Sequence, residues 1–179
     1  MPKLHHLKLP GGMTERGFWL YVWRVENPNG EEFLYVGRTG DNSSPYAAST
    51  YRRMGQHLGD ADNTNALLKH LREHDRARPI HEYETFEMIS YGPIFPEVER
   101  HPDFAYRVEP HWTDARNRHD PFRDRMAALE KKLAQELKAR KYNVMNTVNC
   151  DKPLLDEDWP PVKVAFAEHF PLLDGVGSK

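Results

Sequence analysis

The sequence predicts an α/β fold of the α+β kind, in which a small three-stranded, mainly antiparallel sheet is flanked by helices. Two neighbouring runs, 17–25 and 31–39, are rich in aromatic and β-branched residues, as strands are. A third run of this kind covers 80–92. Apolar residues recur with helical spacing in 45–58, 65–74 and 122–141. The 179 residues are enough for one sizeable core.

The connection between the first two strands predicts how they pair. Pro28 suits the second position of a type I turn, with Gly30 left-handed after it. This three-residue loop places Tyr21 opposite Gly37 and brings Tyr21 and Tyr35 to the same face as diagonal neighbours. A two-residue turn would place the two tyrosines on opposite faces. The proline therefore indicates that the two tyrosines act together.

The second strand ends in Tyr35-Val36-Gly37 and turns polar at Arg38. One interpretation is a sheet edge with an aromatic cap and a turn glycine. The other is a phosphate site, in which a phenol and a cation flank a backbone that only glycine lets a ligand approach.

A polar connector leads from the second strand into the helix predicted over 45–58. Its apolar stripe consists of Ala47, Tyr51, Met54 and Leu58. Arg53 and His57 are four residues apart and so lie one above the other on the flank of that stripe.

The helix predicted over 65–74 follows an Asn/Thr cap and places leucines inside. It contains His70 and His74 in an H-x-x-E-H pattern, which is typical of a class of zinc peptidases. The alternative is that both histidines lie on a solvated helix face.

The third strand is predicted over 80–92, and the stretch 93–121 contains five prolines. This density predicts a long irregular insertion. Asp120-Pro121 then opens the longest helix, in which Phe122, Met126, Leu129, Leu133 and Leu137 form one apolar stripe.

Glu130 falls inside that stripe, between Met126 and Leu137. A lone buried carboxylate is costly, so Glu130 needs a partner. One interpretation is a glutamate at the edge of the stripe or paired with Arg123. The other is a metal ligand.

Composition excludes some classes of protein. No apolar run reaches the roughly 20 residues that span a bilayer, and the first residues lack the apolar core of a signal peptide. The single cysteine, Cys150, excludes an internal disulfide framework and predicts a cytoplasmic location.

The net charge is −2, but 104–141 holds ten basic against six acidic residues, a local +4 that is compatible with binding DNA.

In order along the chain, Tyr21, Tyr35-Val36-Gly37, Arg53, His57 and Glu130 resemble the motifs of GIY-YIG nucleases. Trp19-Leu20-Tyr21 stands for the first motif, with tryptophan in place of the glycine. Asn143 is similar to the family's closing asparagine, and Asn146 and Asn149 compete for that role. The resemblance runs from about residue 18 to 143, and its spacing is closest to the restriction-endonuclease-like branch.

The resemblance implies a metal-dependent DNA endonuclease with one Mg²⁺ or Mn²⁺ per site, held by Glu130, waters and a phosphate oxygen. The resemblance also implies that Tyr21 acts as general base, with His57 nearby as proton acceptor. By the same resemblance, Arg53 is expected to hold the scissile phosphate and Tyr35 to position water or phosphate. Further phosphate or DNA contacts are expected from Gly37, Arg38, Thr39 and Arg52.

This interpretation divides the chain into an N-terminal arm (1–16), a nuclease domain (17–150, with the insertion at 93–121) and an acidic but apolar C-terminal extension (151–179). The extension either pairs two copies in a homodimer or folds back over its own core. Two other functions stay open, namely a GIY-YIG domain that binds nucleic acid without cutting it and the zinc peptidase. The motifs leave open whether the target is a specific sequence, a branched or damaged structure, or single strands.

Overall fold

A computed structural model describes residues 2, 4–41, 43–59, 65–75, 78–100 and 110–175. Three antiparallel strands form one sheet, β1 (Gly17–Glu26), β2 (Glu32–Arg38) and β3 (Thr85–Pro96), in the order β2-β1-β3. Four α-helices accompany it within these ranges, namely α1 (Thr50–Leu58), α2 (Ala66–His74), α3 (His111–Ala139) and α4 (Trp159–Ala167). The α+β prediction is confirmed.

The hairpin between β1 and β2 has the predicted register. Tyr21 pairs with Gly37, and Trp23 pairs with Tyr35. The turn is closed by a hydrogen bond of 2.9 Å from the Gly30 amide to the Asn27 carbonyl, and Gly30 has a φ of 78°. Because the side chain of Asn27 also accepts bonds from two amides of the turn, local chemistry alone specifies this loop.

The two faces of the sheet are covered by different helices. Even-numbered residues of β1 and β2 pack with α3 and α4, and this face carries the larger core. Odd-numbered residues, among them Tyr21, Trp23 and Tyr35, pack with α1 and α2 in a second cluster. The stripe predicted on the longest helix is confirmed, since Met126, Leu129, Leu133 and Leu137 are all fully buried and Phe122 is partly buried.

The irregular insertion predicted over 93–121 is wrong at both of its ends, because 93–96 belong to a strand and 111–121 to a helix, whereas 97–100 are irregular as predicted. Strand β3 continues to Pro96, and α3 already begins at His111. β3 is an edge strand, where a proline whose N–H would face solvent breaks no ladder bond. Pro121 lies inside α3 rather than at its start, at the cost of one helical hydrogen bond, and residues on both sides of it, Ala115 and Met126, are buried. Residues 101–109 lie outside the described ranges.

Two other predicted element boundaries shift. Ser49 caps α1 by accepting a bond from the Arg52 amide, so the helix begins at Thr50 and Ala47 is buried ahead of it. Tyr51, predicted to be on the apolar stripe, is exposed. The third strand begins at Thr85 instead of 80, after a single 3₁₀ turn at Ile80–Glu82. Helix α2 is confirmed, with Asn65 as its cap.

The C-terminal extension folds back over its own core. Val162, Phe166, Phe170 and Leu173 are buried in the same cluster as α3 and β1. Val164 and Leu155 are the large apolar side chains of the extension that stay exposed among those described. The apolar residues of 151–175 are therefore accounted for by packing within one chain. The homodimer stays a prediction, and the apolar character of the extension no longer supports it.

Candidate functional site

The site lies where β2 ends, and its centre is a pair formed by a tyrosine and a histidine. Tyr21 extends from β1 and His57 from α1, and the hydroxyl oxygen of Tyr21 lies 2.8 Å from Nε2 of His57. The ring of Tyr35 lies 5.3 Å from the His57 ring. Only 2% of Tyr21, 9% of Tyr35 and 3% of His57 is exposed, so the three rings form an enclosed cluster.

Gly37 is required by this cluster. A Cβ atom at Gly37 would lie 2.5 Å from Cε2, Cζ and the hydroxyl oxygen of Tyr21. The two residues are cross-strand partners, and the tyrosine ring covers the glycine. The close approach that the sequence predicts at Gly37 is therefore made by the Tyr21 ring. That a phosphate also approaches this glycine stays a prediction.

Arg53 connects the aromatic cluster to an acidic residue. Its guanidinium is hydrogen-bonded to Asp41 and, at 3.1 Å, to Gln56. Its positive charge acts on the pKa values of Tyr21, Tyr35 and His57. Arg53 and His57 thus do face one site, as their i, i+4 spacing predicts.

Glu130 approaches the site from the opposite face of the sheet. Its Oε2 accepts a hydrogen bond of 3.0 Å from Nε of Arg38, whose Nη1 donates to the Gly40 carbonyl at 2.6 Å. The alternative in which Glu130 pairs with Arg123 is wrong, because Arg123 binds Asp120 and Asp124. Arg38, predicted as a phosphate contact, holds Glu130 in place here.

The protein environment keeps the aromatic groups of the site neutral. Burial raises the pKa of Tyr21 well above its usual range, and the neighbouring Tyr35 adds to this rise while Arg53 opposes it. Burial likewise raises the pKa of Tyr35. Burial, followed by the charge of Arg53, lowers the pKa of His57 to about 4. At neutral pH two phenols and a neutral imidazole are therefore in contact.

The two carboxyl groups of the site differ. Burial alone would raise the pKa of Asp41, but Arg53 and bonds from Ser43 lower it to about 2. Burial raises the pKa of Glu130 to about 7, although Arg38 and Arg53 pull it down. Asp41 is therefore ionised beside Arg53 at neutral pH, whereas at Glu130 burial outweighs the attraction of Arg38 and Arg53.

The asparagine that touches the site is Asn146, the predicted competitor of Asn143. Asn146 is buried, and its side chain accepts from the Val36 amide at 3.0 Å and donates to the Val36 carbonyl at 2.8 Å. It therefore holds the middle of Tyr35-Val36-Gly37. Asn143 is exposed and binds the Glu32 carbonyl at the start of β2, away from the cluster.

Two further predicted contacts have different outcomes. Thr39 does not fit a phosphate contact, because it is fully buried and its hydroxyl donates to Gly17 and accepts from Trp19. Arg52 is exposed on α1, beside Arg53, so its role as a phosphate or DNA contact stays a prediction. Asp41 was not among the predicted site residues, because no helical or strand spacing connects a loop carboxylate to Arg53.

The two histidines of the H-x-x-E-H pattern separate. His70 packs its ring 5.7 Å from the Tyr35 ring and is not fully solvated, whereas His74 is exposed and hydrogen-bonds the His70 carbonyl. Among the described residues there is no group of three or more His, Cys, Asp or Glu side chains that could share a metal. This pattern therefore lacks a third ligand in the part of the chain that the structure describes.

The cation that the resemblance implies needs only one carboxylate. No described residue donates a hydrogen bond to Oε1 of Glu130, and a carboxylate oxygen is a hard ligand that suits a divalent cation keeping most of its waters. The donor set thus fits Mg²⁺ or Mn²⁺ held by Glu130, waters and a substrate oxygen.

No protein-family model, curated protein or solved structure matches the chain. Among the described residues, no helix has both the length and the apolar character to cross a membrane.

Proposed function

We propose that the chain is a metal-dependent DNA endonuclease that hydrolyses phosphodiester bonds. One observation carries this proposal. The rings of Tyr21 and Tyr35 both contact His57, and Arg53 and Glu130, from helices on opposite faces of the sheet, act electrostatically on both tyrosines. The sequence resemblance named these same five residues, which come from four separate segments of the chain.

Arg53 is suited to binding the scissile phosphate. Asp41 and Gln56 each occupy one nitrogen of the guanidinium and fix its plane. A guanidinium has five N–H donors, so donors remain for phosphate oxygens. The ion pair with Asp41 keeps the group oriented before substrate arrives, which avoids an ordering cost during the reaction.

Tyr21 and His57 are suited to moving a proton. The raised pKa of Tyr21 disfavours a standing phenolate, so we assign a relay in which the hydroxyl takes a proton from the attacking water as it passes its own to Nε2 of His57. Charge then appears on His57, where the imidazole is neutral beforehand. Glu130 would hold the divalent cation, which when bound would supply charge stabilisation for the phosphoryl oxygens.

Digestion of long duplex DNA with Mg²⁺ or Mn²⁺ tests the proposal. Glu130→Gln is expected to abolish cleavage and to leave DNA binding near normal, since phosphate contacts dominate affinity. The matched control is Glu136→Gln on the same helix, where Glu136 pairs with Lys132 and Arg140 at the surface and should not matter. Arg53→Ala is expected to lose about 10²-fold or more in rate.

Wild-type cleavage rates in Glu130→Gln would contradict the site assignment. A wild-type protein that binds DNA but cuts none with either metal would instead support the non-cleaving alternative. Discrete bands from the duplex would indicate restriction-type specificity, and a smear would indicate nonspecific cutting.

A further inference from the structure

A polar cleft of about 330 Å³ opens beside Arg53, and the rings of Tyr21, Tyr35 and His57 do not line it. It lies between the loop that follows β2, the start of α1 and the start of α3. Six of the described residues that line it carry its chemistry, and they are Arg16, Arg52, Arg53, Arg100, Tyr46 and Trp112.

The cleft is positively charged and partly fixed in shape. Arg16 and Arg100 each donate two hydrogen bonds of 2.8–3.1 Å to the Glu97 carboxylate, which holds both side chains in place. Arg52 is exposed, and its side chain has no partner among the described residues. The acidic residue of the described lining, Asp41, is already paired with Arg53. A cleft of this charge attracts phosphate groups.

Aromatic rings stand among these arginines. Trp112 and Tyr46 pack edge to face with centroids 6.1 Å apart, and the Arg100 guanidinium lies 5.6 Å from the Tyr46 centroid. Alternation of cations with aromatic surfaces is how proteins bind nucleotides that are not base-paired, because bases stack on the rings while the backbone follows the charge. A base still stacked inside a duplex cannot enter a cleft of this size, whereas an unpaired base can.

We propose that this cleft binds the nucleotide next to the scissile phosphate with its base unpaired, so that the preferred substrate is single-stranded or locally unpaired DNA. The inference rests on the proposed function, because Arg53 belongs to both the cleft and the cleavage site. Arg52 binds the neighbouring phosphate, and Trp112 provides the surface on which the base stacks.

Fluorescence anisotropy without divalent cations tests the cleft separately from cleavage. The probes are a short labelled thymidine oligonucleotide, an abasic oligonucleotide of the same length and charge, and the matching duplex. We expect the wild-type protein to bind the thymidine strand roughly tenfold more tightly than the abasic strand, as one stacked base provides. It should also prefer the single strand to the duplex.

Variants assign the effect to residues. Trp112→Leu should remove the preference for bases, and Arg52→Gln should weaken binding of both single strands. Arg118→Gln is the matched control, because it removes one exposed charge of α3 that does not line the cleft. Arg52 is exposed, so Arg52→Gln keeps the test valid even where Trp112→Leu is unstable.

Equal affinity of the wild-type protein for the thymidine and abasic strands, or tighter binding of the duplex, would overturn the proposal. Loss of binding in Arg118→Gln equal to that in Arg52→Gln would overturn the location. A protein that cuts no DNA with Mg²⁺ or Mn²⁺ yet shows the base-dependent binding would refute the nuclease and support the cleft. If the wild type cuts DNA and the Arg52→Gln and Trp112→Leu variants bind and cut like it, the cleft proposal is refuted and the nuclease proposal is supported.

Discussion

Replacing Gly37 with alanine is the sharpest test of how the site is built. The backbone of Gly37 does not have a positive φ, so alanine is sterically allowed by the chain itself. The added methyl would nevertheless lie 2.5 Å from three ring atoms of Tyr21, where about 3.5–4.0 Å is the favourable carbon separation. Tyr21 must therefore move by roughly 1 Å.

The cost follows from the surroundings of Tyr21. Its ring is enclosed, so overpacking should cost about 1–3 kcal/mol. Displacing the hydroxyl from His57 should add about 1 kcal/mol. The reduced entropy of the unfolded chain returns about 0.5–1 kcal/mol. We expect a net loss of about 2 kcal/mol for Gly37→Ala, from these terms.

Equilibrium unfolding in urea measures this difference, with Gly55→Ala as the matched control. Gly55 lies in α1 with nothing within 4 Å of an added Cβ, so alanine there should stabilise the protein by about 0.5–1 kcal/mol. In a Tyr21→Ala background the cost of Gly37→Ala should largely vanish. If Gly37→Ala is as stable as the wild type, or costs the same without the Tyr21 ring, the contact does not explain the glycine.

Three further predictions concern the surroundings of the site. Asn146→Ala should destabilise by about 1–3 kcal/mol for each Val36 backbone group left unpaired, whereas Asn143→Ala should stay within about 0.5 kcal/mol, and equal urea midpoints would contradict this. Phe170→Ala should cost about 3–5 kcal/mol and Val164→Ala under about 0.5, a contrast that would be absent if the extension were a loose appendage. Because the pKa of His57 is lowered to about 4 in the folded protein, its contribution to the free energy of unfolding is complete above the unfolded pKa of about 6.5 and is lost as the pH falls towards 4. The difference in unfolding free energy between the wild type and His57→Asn should therefore shrink by about 3 kcal/mol over that pH range. A difference that stays constant with pH would refute the lowered pKa.

Local chemistry made the hairpin and the apolar stripe of α3 predictable, although not the start of that helix. The turn of Pro28 and Gly30 is specified within its own residues, and the stripe through Met126 needs only helical periodicity. The partners of buried charges were not predictable in this way. Arg38 reaches Glu130 across 92 positions of the chain, and Asp41 reaches Arg53 from a loop with no regular spacing. Such pairs depend on how layers pack, which no local pattern encodes.

Proline statistics failed for a related reason. A high density of prolines predicts irregular chain only where each missing N–H would break a bond that the structure needs. At Pro93 and Pro96 the strand is at the edge of the sheet, and at Pro121 the flanking turns of α3 are buried. Position in the tertiary structure therefore decides what a proline costs.

The end of β2 is a place where both layers of this fold can supply groups to one site. Side chains alternate along a strand, so Tyr35 and Gly37 face α1 while Arg38 faces α3. In the middle of the sheet these two sets are separated by the backbone, but where the strand stops they meet around its end. The site thus depends on the register set by the hairpin. A slip of one residue would turn Tyr35 towards α3 and Arg38 towards α1, and would separate Glu130 from its partner and Tyr35 from His57 in a single step.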